Sequence, residues 1–327
     1  MTCPQKTIDI VESCLRKYPC EVDVCYNEPM AEHCTFKAGG PADCWLRPVG
    51  DNFPAFVTAL LAAAWEENIP VFVLGGGANI LVSDAGIEGV VLDTGGWTGV
   101  VTGGLTGEAG RGDGILTFRS GTALDDACEI AAAAGLSGLE FFAGMPGSAG
   151  GAVWMNARCY GKEVSDVLVE TECINFSVSP PEIKRLPAVK TEFGYKRSPF
   201  QGSDLFILST VFRVTPKDPG LIRAEADSYR LDRENKGHYR FPSAGSVFKN
   251  DESFGKPTGK IIDELGMRGL QIGGAQVAPW HGNIIINTGN ATAADIRNLT
   301  VEVAARVKAG AGLTLEPEII FTGRWEK

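Results

Sequence analysis

Apolar residues along the chain follow two periods, and the order in which those periods alternate predicts a mixed α+β protein. Between residues 5 and 18, Ile8, Ile10, Val11, Cys14 and Leu15 fall at helical spacing, and residues 54–66 repeat that pattern before Pro70 ends it. Val71-Phe72-Val73-Leu74 is a short apolar run feeding a glycine loop, as a buried strand does. Ile80-Leu81-Val82 and Val90-Val91-Leu92 read as further strands, separated by the turn Ala85-Gly86. The glycine-rich stretch from Thr98 to Gly114 has too few apolar residues for a helix and predicts turns between short strands. Thr122 and Asp125 have capping-box spacing, opening an alanine-rich helix that ends near Gly135.

Farther along, Phe206 to Val214 is a long β-branched and aromatic run that predicts a strand, and Pro216 to Gly220 reads as a linker and domain boundary. Beyond it the pattern predicts a charged helix from about Leu221 to Asn235, a loop carrying Ser246, and a helix near Lys260 to Leu265. A strand from Asn283 to Asn287, a helix from Ala293 to Lys308 and a last strand ending near Phe321 follow. No internal repeat and no low-complexity tract interrupts this order.

Composition narrows the class. At 327 residues, 44% apolar and 21% charged, the chain can bury the cores of two or three domains. No run reaches the roughly 18 apolar residues of a membrane helix, and Met1 to Ile8 lacks the apolar segment of a signal peptide. These features lead us to expect a cytoplasmic protein. A net charge of −10 argues against a general nucleic-acid binder, which needs a basic surface, but not against anionic small ligands held by local donors. Nine cysteines without close pairs fit reduced, mostly buried thiols better than a disulfide framework or a metal site.

Chemistry concentrates in three places. The first is Gly75-Gly76-Gly77-Ala78-Asn79, which follows a strand, where backbone N–H groups can converge on a diphosphate without side-chain interference. Its spacing is neither the dinucleotide fingerprint, which fails at Ile80, nor the P-loop. The second is Gly144-Met145-Pro146-Gly147-Ser148-Ala149-Gly150-Gly151, where proline and a serine cap suit the start of a short helix whose free N–H groups would face a phosphate or a flavin carbonyl. Either cluster alone is as readily a tight turn; together they point to a dinucleotide. The third is Gly245-Ser246-Val247-Phe248-Lys249-Asn250, a polar Ser-Lys-Asn cluster.

These runs occur in order with Phe36 to Asp43, Gly135 to Phe141, Asn156-Ala157, Phe193-Gly194-Tyr195, Gly273 to Val277 and Leu315 to Glu318. From about residue 30 onward the set closely resembles the UDP-N-acetylenolpyruvoylglucosamine reductase (MurB) family of peptidoglycan synthesis. The resemblance implies an FAD-binding domain over residues 1–217, with two α+β subdomains at about 20–95 and 96–217 of the vanillyl-alcohol-oxidase type. A C-terminal α+β substrate domain over 218–327 follows, its tail returning to the active site. It further implies a monomer that binds FAD non-covalently, uses NADPH as co-substrate and reduces the enolpyruvyl ether of a UDP-sugar to UDP-N-acetylmuramate. No membrane or nucleic-acid partner and no metal is implied.

Residue by residue, the resemblance implies FAD contacts from Gly75, Gly76, Gly77, Ala78, Asn79, Ile80 and Leu81, and from Ala143, Gly144, Met145, Pro146, Gly147, Ser148, Gly150, Gly151 and Ala152. Ser246 matches the proton donor of the Gly-Ser-x-Phe-Lys run, and Glu318 the assisting glutamate, with Glu316 as competitor because residues two apart share a strand face. Tyr160, Asn250 and His281 fall where relatives hold the UDP-sugar. Where the family has Tyr-Arg-x-Ser, this chain has Tyr195-Lys196-Arg197-Ser198. Keeping Tyr195 and Ser198 in register puts Lys196 in the arginine slot; an extended segment would turn Arg197 to the opposite side, and Arg197 is the alternative if the backbone slips. Lysine brings charge there without the bidentate fork. Arg158-Cys159 is a second departure, at positions where the family has small residues. A related flavoprotein oxidase, or a nucleotide-sugar binding protein without catalysis, are the rival readings; none of His33, His238 and His281 sits in a glycine cluster to carry a covalent flavin.

Overall fold

The computed structural model describes residues 4–106 and 114–326, which divide into two compact units. The helices are α1 (Gln5–Lys17), α2 (Phe53–Glu66), α3 (Leu124–Ala133), α4 (Ala149–Met155), α5 (Val164–Val167), α6 (Pro219–Asn235), α7 (Thr258–Glu264) and α8 (Ala293–Ala311).

The first unit comprises residues up to Tyr26, Cys44–Gly76 and Gly89–Leu231. One sheet has the strand order Glu21–Pro29, Pro41–Val49, Ile87–Asp93, Val71–Leu74, the last pair parallel with Val71 opposite Val90. A helix crossover explains that parallel pairing's neighbour: α2 precedes Val71–Leu74 and buries Phe53, Phe56, Val57, Leu60, Leu61 and Ala64 along one stripe, the period a core-facing helix requires. Phe53 stacks on Trp97 with ring centroids 4.7 Å apart. Each such buried phenyl stabilises the fold by about 1.5–3 kcal/mol.

A second sheet runs Glu182–Pro187, Leu168–Asn175, Leu205–Pro216, Gly114–Arg119, Val100–Thr106. The predicted run 206–214 is thus the central strand of an antiparallel sheet. Its core is aromatic: Phe142 meets Phe212 edge-on at 5.7 Å, and Phe118, Phe141 and Val153 are buried around them. Of the turns expected between Thr98 and Gly114, the flanking strands are seen, while residues 107–113 lie outside the described residues.

The capping box expected at Thr122 and Asp125 does not form. α3 has Ala123 as its N-cap residue with no side-chain cap, because the Thr122 hydroxyl donates to the Arg119 carbonyl (2.7 Å) and accepts from Gly99 N–H (2.9 Å). Asp125 is engaged elsewhere, as described below. The linker expected at 216–220 is shorter than its composition implies, since α6 already starts at Pro219, where proline is tolerated in a first turn.

The second unit comprises Asn27–Asp43, Gly77–Glu88 and the chain from Asp232. Ile80–Val82 pairs in parallel with Ile320–Thr322, and Gln271–Ile272, Ala275–Val277 and Ile285–Asn287 form a three-stranded antiparallel sheet. α8 packs on that sheet with Ile296, Leu299, Val303 and Val307 buried, and a capping box of Thr292 and Asp295 starts it. Two further N–H groups of its first turn, Ala293 and Ala294, donate to the Asp84 carboxylate, both at 2.8 Å. Of the described cysteines, Cys14, Cys34, Cys44, Cys128 and Cys173 are buried, and burial pushes the Cys128 thiol up to about 12 and that of Cys173 to about 11. Among the described residues no helix is long and apolar enough to cross a membrane.

Candidate active site

In the first unit the two glycine clusters meet. Gly75 and Gly76 leave the strand Val71–Leu74, and the backbone of Gly147 lies directly against them. A Cβ on Gly76 would stand 2.6 Å from the Gly147 Cα, and one on Gly75 would stand 2.5 Å from Ser148 Oγ. Any side chain at either position would collide with backbone or cap, so the contact requires glycine. Gly147, at φ +127°, has a conformation that L residues rarely adopt. Close approach of two bare backbones leaves amide-rich surface, as a cradle for a diphosphate-bearing cofactor needs. The N–H groups of Gly75, Gly76 and Gly147 donate to no other protein group among the described residues.

The helix start behaves differently from expectation. Ser148 caps α4, its Oγ accepting from Gly151 N–H at 3.3 Å, but the neighbouring N–H groups are already used: Ala149 donates to the Thr122 carbonyl and Gly150 to the Ser120 carbonyl, each at 2.8 Å. The first turn of α4 therefore does not offer free donors to a phosphate. Beneath Gly150, where a Cβ would stand 2.7 Å from the Ser120 Cβ, the Ser120 hydroxyl is buried without a hydrogen-bond partner among the described residues. An orphaned hydroxyl beside an amide-lined, glycine-only contact fits a polar ligand such as FAD.

The remaining residues of this loop are held from below. Met145 N–H donates to the Phe142 carbonyl at 2.8 Å, Ala143 and Ala152 are buried, and Gly144 N–H donates to Asp125 Oδ1. The same carboxylate takes Arg230 from α6. Sequence reasoning missed this pair, because nothing in the spacing of Asp125 and Arg230 signals it.

Tyr160 and Gly161, at φ +52° and +76°, form the two-residue turn between Arg158–Cys159 and Lys162–Glu163, the left-handed pair that a tight hairpin demands. This presents Tyr160 to α6, where its ring stacks on Tyr229 at 4.1 Å and its hydroxyl donates to the Tyr229 carbonyl. The segment carrying Lys196 is also a turn and not extended: Gly194 and Arg197 exchange both backbone hydrogen bonds, and Lys196 sits at φ +56°. Asn156 Nδ2 donates to the Gly194 carbonyl, Ser198 Oγ to the Trp154 carbonyl and Gln201 Nε2 to the Lys196 carbonyl, so the turn is braced at both ends. The argument from strand alternation therefore fails here. Lys196 is half-buried and Arg197 exposed.

In the second unit, Gly77 is left-handed at φ +60°, and a Cβ there would stand 2.1 Å from the His33 carbonyl oxygen. Ala78 and Asn79 lead into Ile80 and Leu81, both buried. Asn79 Nδ2 donates to the Glu318 carbonyl at 3.1 Å, and its own carbonyl accepts from Ile320 N–H. The Ser246 run lies beside the same segment: Val247 C=O accepts the Glu318 N–H at 2.7 Å, and Lys249 N–H donates to the Glu316 carbonyl. Val247, the residue after Ser246, thus shares one hydrogen-bond network with Glu318 and Asn79. Glu316 and Glu318 separate in this frame, because the exposed Glu316 carboxylate pairs with Lys249.

Asn283, which no sequence signal singled out, braces the loop. Its Oδ1 accepts from Phe248 N–H (2.9 Å) and its Nδ2 donates to the Phe248 carbonyl (2.8 Å). Asn250 Oδ1 accepts from Thr258 N–H at the start of α7. His281 Nδ1 accepts the Asn283 N–H at 3.1 Å, and burial lowers its pKa below the usual imidazole value.

Comparisons with known proteins show which family the chain resembles. Residues 54–177 match the FAD binding domain family, and residues 237–322 match the family described as UDP-N-acetylenolpyruvoylglucosamine reductase, C-terminal domain. The chain is 40% identical to the UDP-N-acetylenolpyruvoylglucosamine reductase of Treponema pallidum, over 91% of this chain and 93% of that one. It is 41% identical to the Borrelia garinii protein of the same name, over 90% and 92%. Among solved structures, the UDP-N-acetylenolpyruvylglucosamine reductase of Thermus caldophilus superposes with a TM-score of 0.70 at 30% identity, over 92% of this chain and 99% of that one.

Proposed function

The chain belongs to the UDP-N-acetylenolpyruvoylglucosamine reductase family, and from that premise we propose that it is an FAD-dependent reductase that converts UDP-N-acetylglucosamine enolpyruvate to UDP-N-acetylmuramate at the expense of NADPH. The reaction belongs to peptidoglycan precursor synthesis, and cytoplasmic monomers suffice for it. The observation that carries the reading is the hydrogen bond from Glu318 N–H to the Val247 carbonyl, which sets the serine run and the glutamate side by side in one unit.

FAD, when bound, would supply the hydride-relay chemistry between NADPH and the terminal carbon of the enolpyruvyl group. Gly75, Gly76, Gly77, Ala78 and Asn79, with Gly147 and Ser148 of the second loop, would hold that cofactor through backbone donors, while Gly144 and Met145, whose N–H groups are taken by Asp125 and the Phe142 carbonyl, would shape its bed. Hydride arrival builds negative charge between the neighbouring carbon and the carboxylate, and the Lys196 ammonium stabilises it. Ser246 Oγ then gives its proton to that neighbouring carbon, and Glu318 orients the hydroxyl and restores its proton from solvent. Tyr160, Asn250 and His281 hold the sugar nucleotide, His281 as a donor through Nε2. The FAD domain is assigned to residues 1–217 and the substrate domain to 218–327; the two family matches, at 54–177 and 237–322, fall within these spans.

An anaerobic absorbance titration tests the reading. The purified protein should be yellow, bleach on adding NADPH and recolour on adding the enolpyruvyl UDP-sugar. Protein that stays colourless after incubation with FAD, or reduced protein that the sugar nucleotide does not recolour, rules it out. Within the cationic turn, Lys196→Ala should slow recolouring more than Arg197→Ala does; the reverse order transfers the role to Arg197.

A further inference from the structure

We propose that Arg158 is a substrate-binding residue of this enzyme, supplying the forked guanidinium that grips the enolpyruvyl carboxylate together with the Lys196 ammonium. The proposal rests on the function proposed above and adds a residue to its site.

Three observations within the first unit lead to it. Arg158 is brought to the cationic turn by the hairpin Arg158 to Glu163, and its guanidinium lies over the ring of Tyr195, the residue before Lys196, 5.7 Å from the centroid. That ring contact fixes the side chain's direction while leaving its N–H groups open. Among the described residues the Arg158 guanidinium makes no hydrogen bond and no ion pair with the protein, although carboxylates are close at hand. Glu163 is its cross-strand partner and Asp166 lies near enough to sense its charge, yet both carboxylates are taken by Lys190 Nζ, at 2.8 and 2.6 Å. Lys190 neutralises the acids that would otherwise claim Arg158.

Chemistry supplies the reason. A lysine ammonium is a point charge and cannot bind both oxygens of a carboxylate in plane, whereas a guanidinium can. This chain carries lysine at 196, and Lys196 is held in a braced left-handed turn that fixes its backbone. A planar donor over the ring of Tyr195, the residue next to Lys196, and kept free of internal acceptors completes a site for a planar anion. The hairpin position follows from the same need: the Tyr160-Gly161 turn places Tyr160 beside Tyr229 and leaves the strand residue Arg158 to face Tyr195.

The test uses the FAD-loaded enzyme, reduced with NADPH and mixed in a stopped-flow spectrometer with the enolpyruvyl UDP-sugar. Arg158→Ala should reduce its flavin at the wild-type rate but recolour about ten- to a hundredfold more slowly, the loss typical of one charge-assisted contact. Its affinity for UDP-N-acetylglucosamine, which has the diphosphate and lacks the carboxylate, should be unchanged. Arg158→Lys should be intermediate, and adding Lys196→Arg to Arg158→Ala should restore most of the lost rate by returning a fork to the turn. Wild-type recolouring in Arg158→Ala overturns the proposal. So does an equal loss of UDP-N-acetylglucosamine affinity, which moves the contact to the diphosphate, and so does a loss that Lys196→Arg leaves unrepaired. A wild-type enzyme that NADPH bleaches and the enol ether does not recolour overturns the functional reading itself, and this proposal with it.

Discussion

Asp125 Oδ1 accepts the N–H of Gly144 at 2.8 Å, and that single contact ties a helix to the loop that packs on Gly76. The same oxygen accepts from Arg230 Nη2 at 2.8 Å and Nε at 3.1 Å, so a charged pair clamps a glycine whose φ is +65°. Asp125→Ala should remove this bond to the Gly144 amide and loosen the loop, weakening FAD retention by about tenfold, in line with about 1.5 kcal/mol for a hydrogen bond to a charged group. Asp125→Asn keeps an acceptor and should lose less. Fluorescence titration of the stripped protein with FAD gives both numbers, and equal affinities for all three proteins would contradict the clamp.

Ser246→Ala removes the proposed acid without disturbing the backbone that bonds Glu318. Bleaching by NADPH should persist, while recolouring by the enol ether should fall about 10²–10⁴-fold, the usual range for a general acid. A variant with equal rates in both halves would remove Ser246 from the role.

Gly76→Ala should be the most damaging single methyl in the first glycine cluster. The added carbon would stand 2.6 Å from the Gly147 Cα, a distance that neither backbone can relieve without moving a loop. We expect a lower Tm and protein purified with little flavin. Retention of the wild-type flavin content would show that the two loops can part without cost.

His238 gives a pH prediction with a definite sign. Burial lowers its pKa from the ordinary 6.5 to about 4, with the positive charges of Arg233 and Lys236 adding to the effect. The unfolded chain therefore takes up the proton first, and the contribution of this histidine is full above about pH 6.5 and is lost as the pH falls toward 4. At pH 5 the loss should be about 2 kcal/mol, and His238→Gln should flatten that part of the curve. Urea midpoints at pH 7 and pH 5 for the two proteins check it; parallel falls would exclude His238 as the cause.

Local signals and remote ones differed in how well the sequence carried them. The helical periods at 5–18, 54–66 and 293–308 became α1, α2 and α8 because each has one apolar stripe facing a core. Among the strands that went unseen are Glu21–Pro29 and Pro41–Val49: the first alternates mostly between exposed and half-buried positions and carries little apolar contrast, while the second begins with a proline and has another near its end. At Thr122 the capping-box residues are present and the geometry is not, since a loop carbonyl and a glycine N–H captured the hydroxyl first. The meeting of Gly76 with Gly147, and of Val247 with Glu318, left no trace in periodicity, because pairs 71 residues apart obey no local rule. Those contacts became legible only through the order of motifs in a resemblance. Even then, the alternation argument for Lys196 failed where the chain turned.

The parallel pairing of Ile80–Val82 with Ile320–Thr322 has a consequence for how the protein is made. Its neighbouring bond, Asn79 to Glu318, joins groups 239 positions apart. During synthesis the short strand after the glycine loop must wait, with an uncovered ladder edge, while most of the chain is added. Such an edge is a template for unwanted pairing between nascent molecules, and long-range closure of this kind is slow. A chain interrupted before residue 316 would thus lose more than a carboxylate: it would keep a sticky, half-built seam, and aggregation would outrun any partial activity.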